Sequence, residues 1–317
     1  MSRIELLEDF KFSCLLNSDT QTKTIAVLGT IKQDRAIIVI EKTPFNVDLF
    51  TKDGGGGSSS SNDDNPISIL LKDLREINSN DVYTWAKATL KQNLSDLPGA
   101  KFNLIYPATE THIEKYTSQK LHYVRETSEM YYKYVVPYIE TMKGDRMQWV
   151  YNILFHEKEK ETVIYHDKSE NGFVLLPDMK WDGVNLQNMY LCCIVNRRDI
   201  ASIRDLKGEH TNYLKRIREK IEQVTKTNYG LTRDKIRIFV HYQPSYYHFH
   251  LHVVNVEHPG LGNGINIGKA IFLDDVIDNL RLNEHYYQEK TIGYILGESH
   301  ALWKTDGYRN LVLNTRH

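Results

Sequence analysis

The sequence predicts an α+β fold: a mainly antiparallel sheet with helices in the larger C-terminal part, preceded by a smaller α+β part. Three observations predict it. Short apolar, β-branched segments recur along the chain. An amphipathic helical pattern falls among the later ones without alternating with each of them. The texture also changes near Leu121, beyond a low-complexity run at Gly54–Ser61. The sequence contains no internal repeat.

Thr24–Ile31 and Ala36–Glu41 read as strands separated by the polar turn Lys32-Gln33-Asp34-Arg35. The Gly/Ser stretch at about 52–66 reads as a flexible surface loop. It lacks the Gly-Lys-Ser/Thr ending of a phosphate-binding loop. Phe102–Tyr106 reads as a strand and Thr109–Tyr116 as the start of a helix. A helical pattern runs from Ser128 through Pro137 toward Met142. Strands are expected at Thr162–His166, Gly172–Leu176, Met189–Val195, Ile236–Tyr242 and His248–Val254. Together these suggest a five-stranded sheet with helices on one side. Leu214, Ile217, Ile221 and Val224 recur at helical spacing, with Asp205 as a candidate start cap and Gly230 beyond the end. Phe272–Leu280 reads as a further helix.

The last of those strands carries the most informative pattern, His248-Phe249-His250-Leu251-His252-Val253-Val254. Strand side chains alternate between faces, so three imidazoles would share one face while Phe249, Leu251 and Val253 fill the other. Two chemistries use such a row. Histidines two apart on a strand can reach one zinc ion. Alternatively, one histidine attacks phosphorus while its neighbours hold phosphate oxygens. The bland reading is a set of exposed or core histidines. The three cysteines, Cys14, Cys192 and Cys193, supply no supporting ligand set for zinc and no disulfide framework.

Composition limits the partners. The chain has 317 residues, 41% hydrophobic and 26% charged, as in a globular protein, with a net charge of −1. Bulk electrostatic attraction to long nucleic acid is therefore not expected, and an anionic substrate must be held by a few local groups. No stretch approaches membrane-spanning length and the first residues lack a signal-peptide layout, so an intracellular, soluble protein is expected, cytoplasmic with the nucleus as a second compartment that composition does not separate from it.

The His-φ-His-φ-His-φ-φ pattern, with φ apolar, resembles the signature of the histidine triad superfamily of nucleotide hydrolases and transferases, which asks for no metal. The longer segment His241-Tyr242-Gln243-Pro244-Ser245-Tyr246-Tyr247-His248-Phe249-His250-Leu251-His252 is similar to the active-site segment of scavenger mRNA decapping enzymes of the fungal type. The blocks Trp149–Leu154, Gly172–Trp181, Tyr106–Glu110 and Val124–Thr127 fit the same family. The resemblance runs from about residue 8 to about residue 300 and is most specific between Trp149 and Gly260.

The resemblance implies a histidine-triad C-terminal domain at 119–317 and a domain-swapped N-terminal dimerisation and lid domain at 1–118, with a hinge near Tyr116–Lys120. It implies hydrolysis of the 5′-5′ triphosphate of 7-methylguanosine cap dinucleotide and of short capped RNA left by 3′-to-5′ decay. The product would be 7-methyl-GMP, formed through a covalent histidine intermediate without cofactor or metal. His250 would be the nucleophile and His248 would support the geometry. His252 and His241 would contact phosphate oxygens or assist the leaving group, and Ser245 and Tyr246 would donate hydrogen bonds to phosphate. Trp149 would stack on the cationic base, with Met179 on its other side and Glu159 accepting from the guanine edge; Glu161 is the competing carboxylate. Pro177, Asp178 and Lys180 match the family's Pro-Asp-apolar-Lys segment, with Lys180 near phosphate or sugar. Tyr83 and Lys115 would cover the closed site. The partners implied are the cap ligand and a second copy of the chain. The alternative is a catalytically weak regulatory paralogue that binds cap or heterodimerises with an active enzyme.

Overall fold

In the first part of the chain, β-branched residues and tight polar turns build one antiparallel sheet. Strands β1 (Phe10–Asp19), β2 (Thr24–Ile31) and β3 (Asp34–Lys42) follow one another as hairpins. Lys32 closes the second turn with φ 54°, and the strand resumes at Asp34, two residues before the sequence places it. These coordinates are a computed structural model that describes residues 5–46, 50, 66–155, 161–179, 181–260, 262–265 and 267–314. The described chain divides into two compact units, Met1–Ser118 and Gln119–His317.

In the first unit a separate hairpin of β4 (Leu71–Asn80) and β5 (Tyr83–Leu90) precedes β6 (Ala100–Ile105), which completes the sheet in the order β1-β2-β3-β6. Leu16, Ala26, Ile37, Val39 and Ala108 form its core, with Ile113 and Tyr116 of the helix Glu110–Tyr116 packed against them. At the start of that helix the His112 ring reaches back, its Nδ1 accepting from the Thr109 N–H at 3.1 Å. The β4–β5 hairpin was not foreseen, and its Leu74, Ile77, Tyr83 and Trp85 side chains are exposed.

The second unit starts with β7 (Leu121–Glu126) and a helical run over 128–141. Residues Tyr131–Val135 of that run are wound more widely, and Pro137, which has no N–H to donate, follows directly after them. The main sheet comprises β8 (Tyr165–His166), β9 (Phe173–Pro177), β10 (Tyr190–Val195), β11 (Ile236–His241), β12 (His250–Asn255) and β13 (Ala270–Phe272), all antiparallel, in the order β13-β11-β12-β10-β9-β8. Strand β14 (Ile292–Gly297) pairs separately with β7. The sheet thus has six strands rather than five, because the short Ala270–Phe272 segment adds an edge beyond β11.

Helices cover both faces rather than one. Leu214, Ile217, Ile221 and Val224 of the helix Thr211–Tyr229 join Leu191, Cys193, Val195, Leu251 and Val253 in the larger core. Val150, Ile153 and Leu154 of the helix Gln148–Phe155 join Val174, Leu176, Cys192 and Ile194 in a second cluster. Alternation along β10 divides its two cysteines between these cores. The long helix ends at Gly230 with φ 68°, as its sequence suggests, but it begins at Thr211. Asp205 does not cap it: its carboxylate accepts from the N–H groups of Ala201 and Ser202 and closes a separate short turn, Ile203–Asp205. Among the described residues no helix is long and apolar enough to cross a membrane.

Candidate active site

Register places the histidines. His250 on β12 lies opposite Ile194 and His252 opposite Cys192, so both rings point to the face that carries the smaller core and the helix Gln148–Phe155. Phe249, Leu251 and Val253 fill the larger core. Phe239 lies directly across from His252 with its ring stacked at 5.4 Å, and His241, two residues further along β11, brings its ring to 4.1 Å from His252.

His248 departs from the expected row. The strand begins at His250 rather than His248, because the Phe249 N–H is taken by the Ile200 carbonyl outside the sheet. His248 therefore approaches from the preceding segment, and its Nε2 donates to the Val195 carbonyl at 2.7 Å. Burial pushes its pKa down.

His250 is 2% exposed, and its Nδ1 lies 2.7 Å from the His248 carbonyl oxygen. A carbonyl only accepts, so Nδ1 carries the proton. Burial is the main cause that lowers the His250 pKa to about 4, so the ring is neutral near pH 7. Its Nε2 is buried and has no hydrogen-bond partner among the described residues. The result is a fixed neutral tautomer with an unengaged lone pair on a rigid strand. The Tyr246 ring lies over it at 4.0 Å and 13°.

That depressed pKa sets an acid limb of stability. Unfolded histidine titrates near 6.5 and binds more protons than the folded ring between there and about 4, so stability falls as pH falls through that window. Chemical denaturation should show wild type losing on the order of 3 kcal/mol from pH 6.5 to 4 relative to a His250→Asn variant. Parallel pH profiles for the two proteins would refute the buried neutral ring.

The other groups assemble around this centre. His241 Nε2 donates to the Gly264 carbonyl at 2.7 Å, and His252 Nδ1 meets the Tyr190 hydroxyl at 3.0 Å. Trp149, 45% exposed, stands edge-to-face with Tyr246 at 4.8 Å. The Tyr246 hydroxyl lies 3.6 Å from Cys192 Sγ. Pro177 ends β9 and Asp178 follows it, its N–H bonded to the Tyr190 carbonyl; its charge acts on the Tyr190 and Tyr246 hydroxyls. Met179 is fully exposed and Ser245 lies in the turn before the triad. Tyr83 and Lys115 belong to the first unit: Tyr83 is exposed beside Trp85, and the Lys115 ammonium lies over the Tyr116 ring. Glu159, Lys180 and the Gly/Ser stretch through residue 65 lie outside the described residues, while Glu161 is exposed in a turn.

Sequence reasoning missed Tyr190, Lys269 and Arg204. Lys269 donates to the Gln243 carbonyl and its charge acts on His250, but in sequence it is one lysine before a short apolar segment. Arg204 is buried against Glu126, to which it donates at 2.8 Å through Nη2 and 3.0 Å through Nε. The Glu126 carboxylate also accepts from Tyr242, from Gln243 at 2.8 Å and from Tyr294 at 2.8 Å. Burial pushes its carboxyl upward, opposed by Arg204, Tyr242 and Tyr294.

Comparison with known proteins decides the family. Residues 5–119 match the family model "Scavenger mRNA decapping enzyme (DcpS) N-terminal" and residues 148–268 match "Scavenger mRNA decapping enzyme C-term binding". The chain belongs to the scavenger mRNA decapping enzyme family. Among its decapping-family relatives, the m7GpppX diphosphatase of Schizosaccharomyces pombe is 40% identical over 304 residues, 96% of each chain. Proteins of the same name from Ascaris suum and Homo sapiens are 34% and 31% identical, covering 95% and 93% of this chain and 94% and 84% of the relatives. The scavenger decapping resemblance carried by the triad segment thus extends across both units.

Proposed function

We propose that this protein hydrolyses the 5′-5′ triphosphate of methylated cap dinucleotide and short capped RNA. The observation that carries the proposal is the His250 tautomer: Nδ1–H is held by the His248 carbonyl, and Nε2 is buried and unengaged. In this reading Nε2 attacks the phosphorus nearest the methylguanosine. The bond from that phosphorus to the bridging oxygen breaks, and the nucleoside diphosphate or short RNA leaves with the electron pair. The ring becomes cationic, and the carbonyl at Nδ1–H stabilises that charge. Water then attacks the phosphoramidate, releasing 7-methyl-GMP and restoring neutral His250.

Charge on the phosphate oxygens falls to Ser245, His241 and His252, with Lys269 adding a cation nearby. Trp149 holds the methylated base: a flat cation gains from an aromatic face by stacking and by cation–π attraction. Trp149→Ala should weaken binding of methylated cap by roughly 1–3 kcal/mol and that of unmethylated cap less. Calorimetric titration with the two ligands checks this, and equal losses would make Trp149 a packing residue only. We further place a second copy of the chain against the first unit, whose β4–β5 hairpin exposes Leu74, Ile77, Tyr83 and Trp85.

The deciding experiment incubates the purified protein with methylated cap dinucleotide, its unmethylated analogue and diadenosine polyphosphate, with and without chelator. Release of 7-methyl-GMP from the methylated substrate, unchanged by chelator, is expected. Preference for diadenosine polyphosphate, or turnover restored only by zinc, would overturn the proposal. Cap binding without turnover would favour the regulatory paralogue.

A further inference from the structure

The turn that leads into the triad is held by side chains. Among the described residues no backbone–backbone hydrogen bond engages 243–248, although Tyr242 and Phe249 on either side are tied by their N–H groups to the Lys269 and Ile200 carbonyls. Gln243, 4% exposed, is instead fixed at three points. Its Nε2 donates to Glu126 at 2.8 Å, its Oε1 accepts from the Tyr247 hydroxyl at 2.8 Å, and its main-chain carbonyl accepts from Lys269.

The polarity of this amide is dictated by its partners. A carboxylate only accepts, so the amide nitrogen must face Glu126, which leaves the oxygen for Tyr247. Leucine would supply neither bond at this position, and glutamate would set a second carboxylate against the first. Glu126 in turn cannot move to follow the turn. It is gripped by Arg204, whose guanidinium also donates to the Glu126 carbonyl at 3.0 Å and to the Tyr287 and Lys290 carbonyls at 2.7 Å each. Tyr294, bonded to Tyr308 at 2.5 Å, closes the other side. Three residues after Gln243 comes Tyr246, the ring that lies over His250.

We propose that Gln243 is a positioning residue: anchored on the Glu126–Arg204 pair, it fixes the Pro244–Tyr247 turn so that the Tyr246 ring stays over His250. Its consequence for turnover rests on the hydrolase reading above; its consequence for ring geometry does not. Two variants and two readouts separate these. Gln243→Leu removes both amide bonds at similar volume, and Tyr247→Phe removes one of them and serves if the leucine variant does not fold.

The first readout is the NMR signal of the His250 ring in ligand-free protein, identified by its loss in His250→Asn. A ring stacked at 4.0 Å displaces that signal upfield, and Gln243→Leu should abolish the displacement while thermal unfolding stays cooperative. The second is hydrolysis of methylated cap dinucleotide, where kcat should fall about 100-fold, the scale of a misplacement near 1 Å, with KM changed by less than about threefold. Gln243→Leu that keeps both the displaced signal and the wild-type kcat would overturn the proposal. So would a fall in kcat with the displaced signal intact, since Gln243 would then act without moving Tyr246. Loss of the displaced signal in a protein whose wild type does not cleave the cap would uphold the positioning role and remove the hydrolase reading instead.

Discussion

His250→Asn should lower release of 7-methyl-GMP by about 10⁴-fold or more while leaving affinity for methylated cap within about tenfold. The asymmetry follows from the site. Asparagine offers no ring nitrogen that can form and release a bond to phosphorus, whereas the groups assigned to the base, foremost Trp149, stand on a different element, the helix Gln148–Phe155. Single-turnover kinetics measures the first quantity and equilibrium titration the second. Turnover near wild type would end the assignment of His250 as nucleophile, and a parallel loss of binding would show that the ring is a scaffold for the pocket.

Arg204→Met should destabilise the second unit by about 3–5 kcal/mol, the cost of leaving one member of a buried ion pair without its partner. Both side chains are fully buried, and the guanidinium satisfies two backbone carbonyls near β14 in addition to Glu126. Removing the pair together, as Glu126→Leu with Arg204→Met, should recover part of that loss because no charge is then stranded. Urea denaturation of the two single variants and the double variant measures the coupling. A single variant within about 1 kcal/mol of wild type would mean that the pair adds little beyond packing.

Much of the second unit was legible because its signals are local. The unbroken apolar run Leu191–Val195, the alternation through His248–Val253, the helical spacing of Leu214, Ile217, Ile221 and Val224, and the Gly230 stop each lie within a few residues. The exit of His248 from the strand was not legible, since it depends on the Ile200 carbonyl, some fifty positions away in sequence. Asp205 had the chemistry of a cap, but it serves the short turn immediately before it. The β4–β5 hairpin escaped because its exposed apolar residues follow no clean period of two. The chemical types at the triad could be read directly, whereas their tautomers required the carbonyls that face them. Glu126 lay in a matching block without any sign of its contacts, since its four partners come from three distant stretches of chain.

Those separations impose an order on biosynthesis. Glu126 leaves the ribosome 168 residues ahead of Tyr294, and β14, which must pair with β7, is made later than every strand of the main sheet. During that interval Glu126 lacks the Tyr294 hydroxyl among its partners, so the cluster that holds the Gln243 side chain is incomplete. In the first unit β1, β2 and β3 close as hairpins of short span, and β6 joins β3 from beyond the β4–β5 hairpin. Completion of the second unit is therefore a late event of translation, and a ribosome stalled between His252 and Tyr294 holds all three histidines before the Tyr294 hydroxyl that completes the Glu126 cluster.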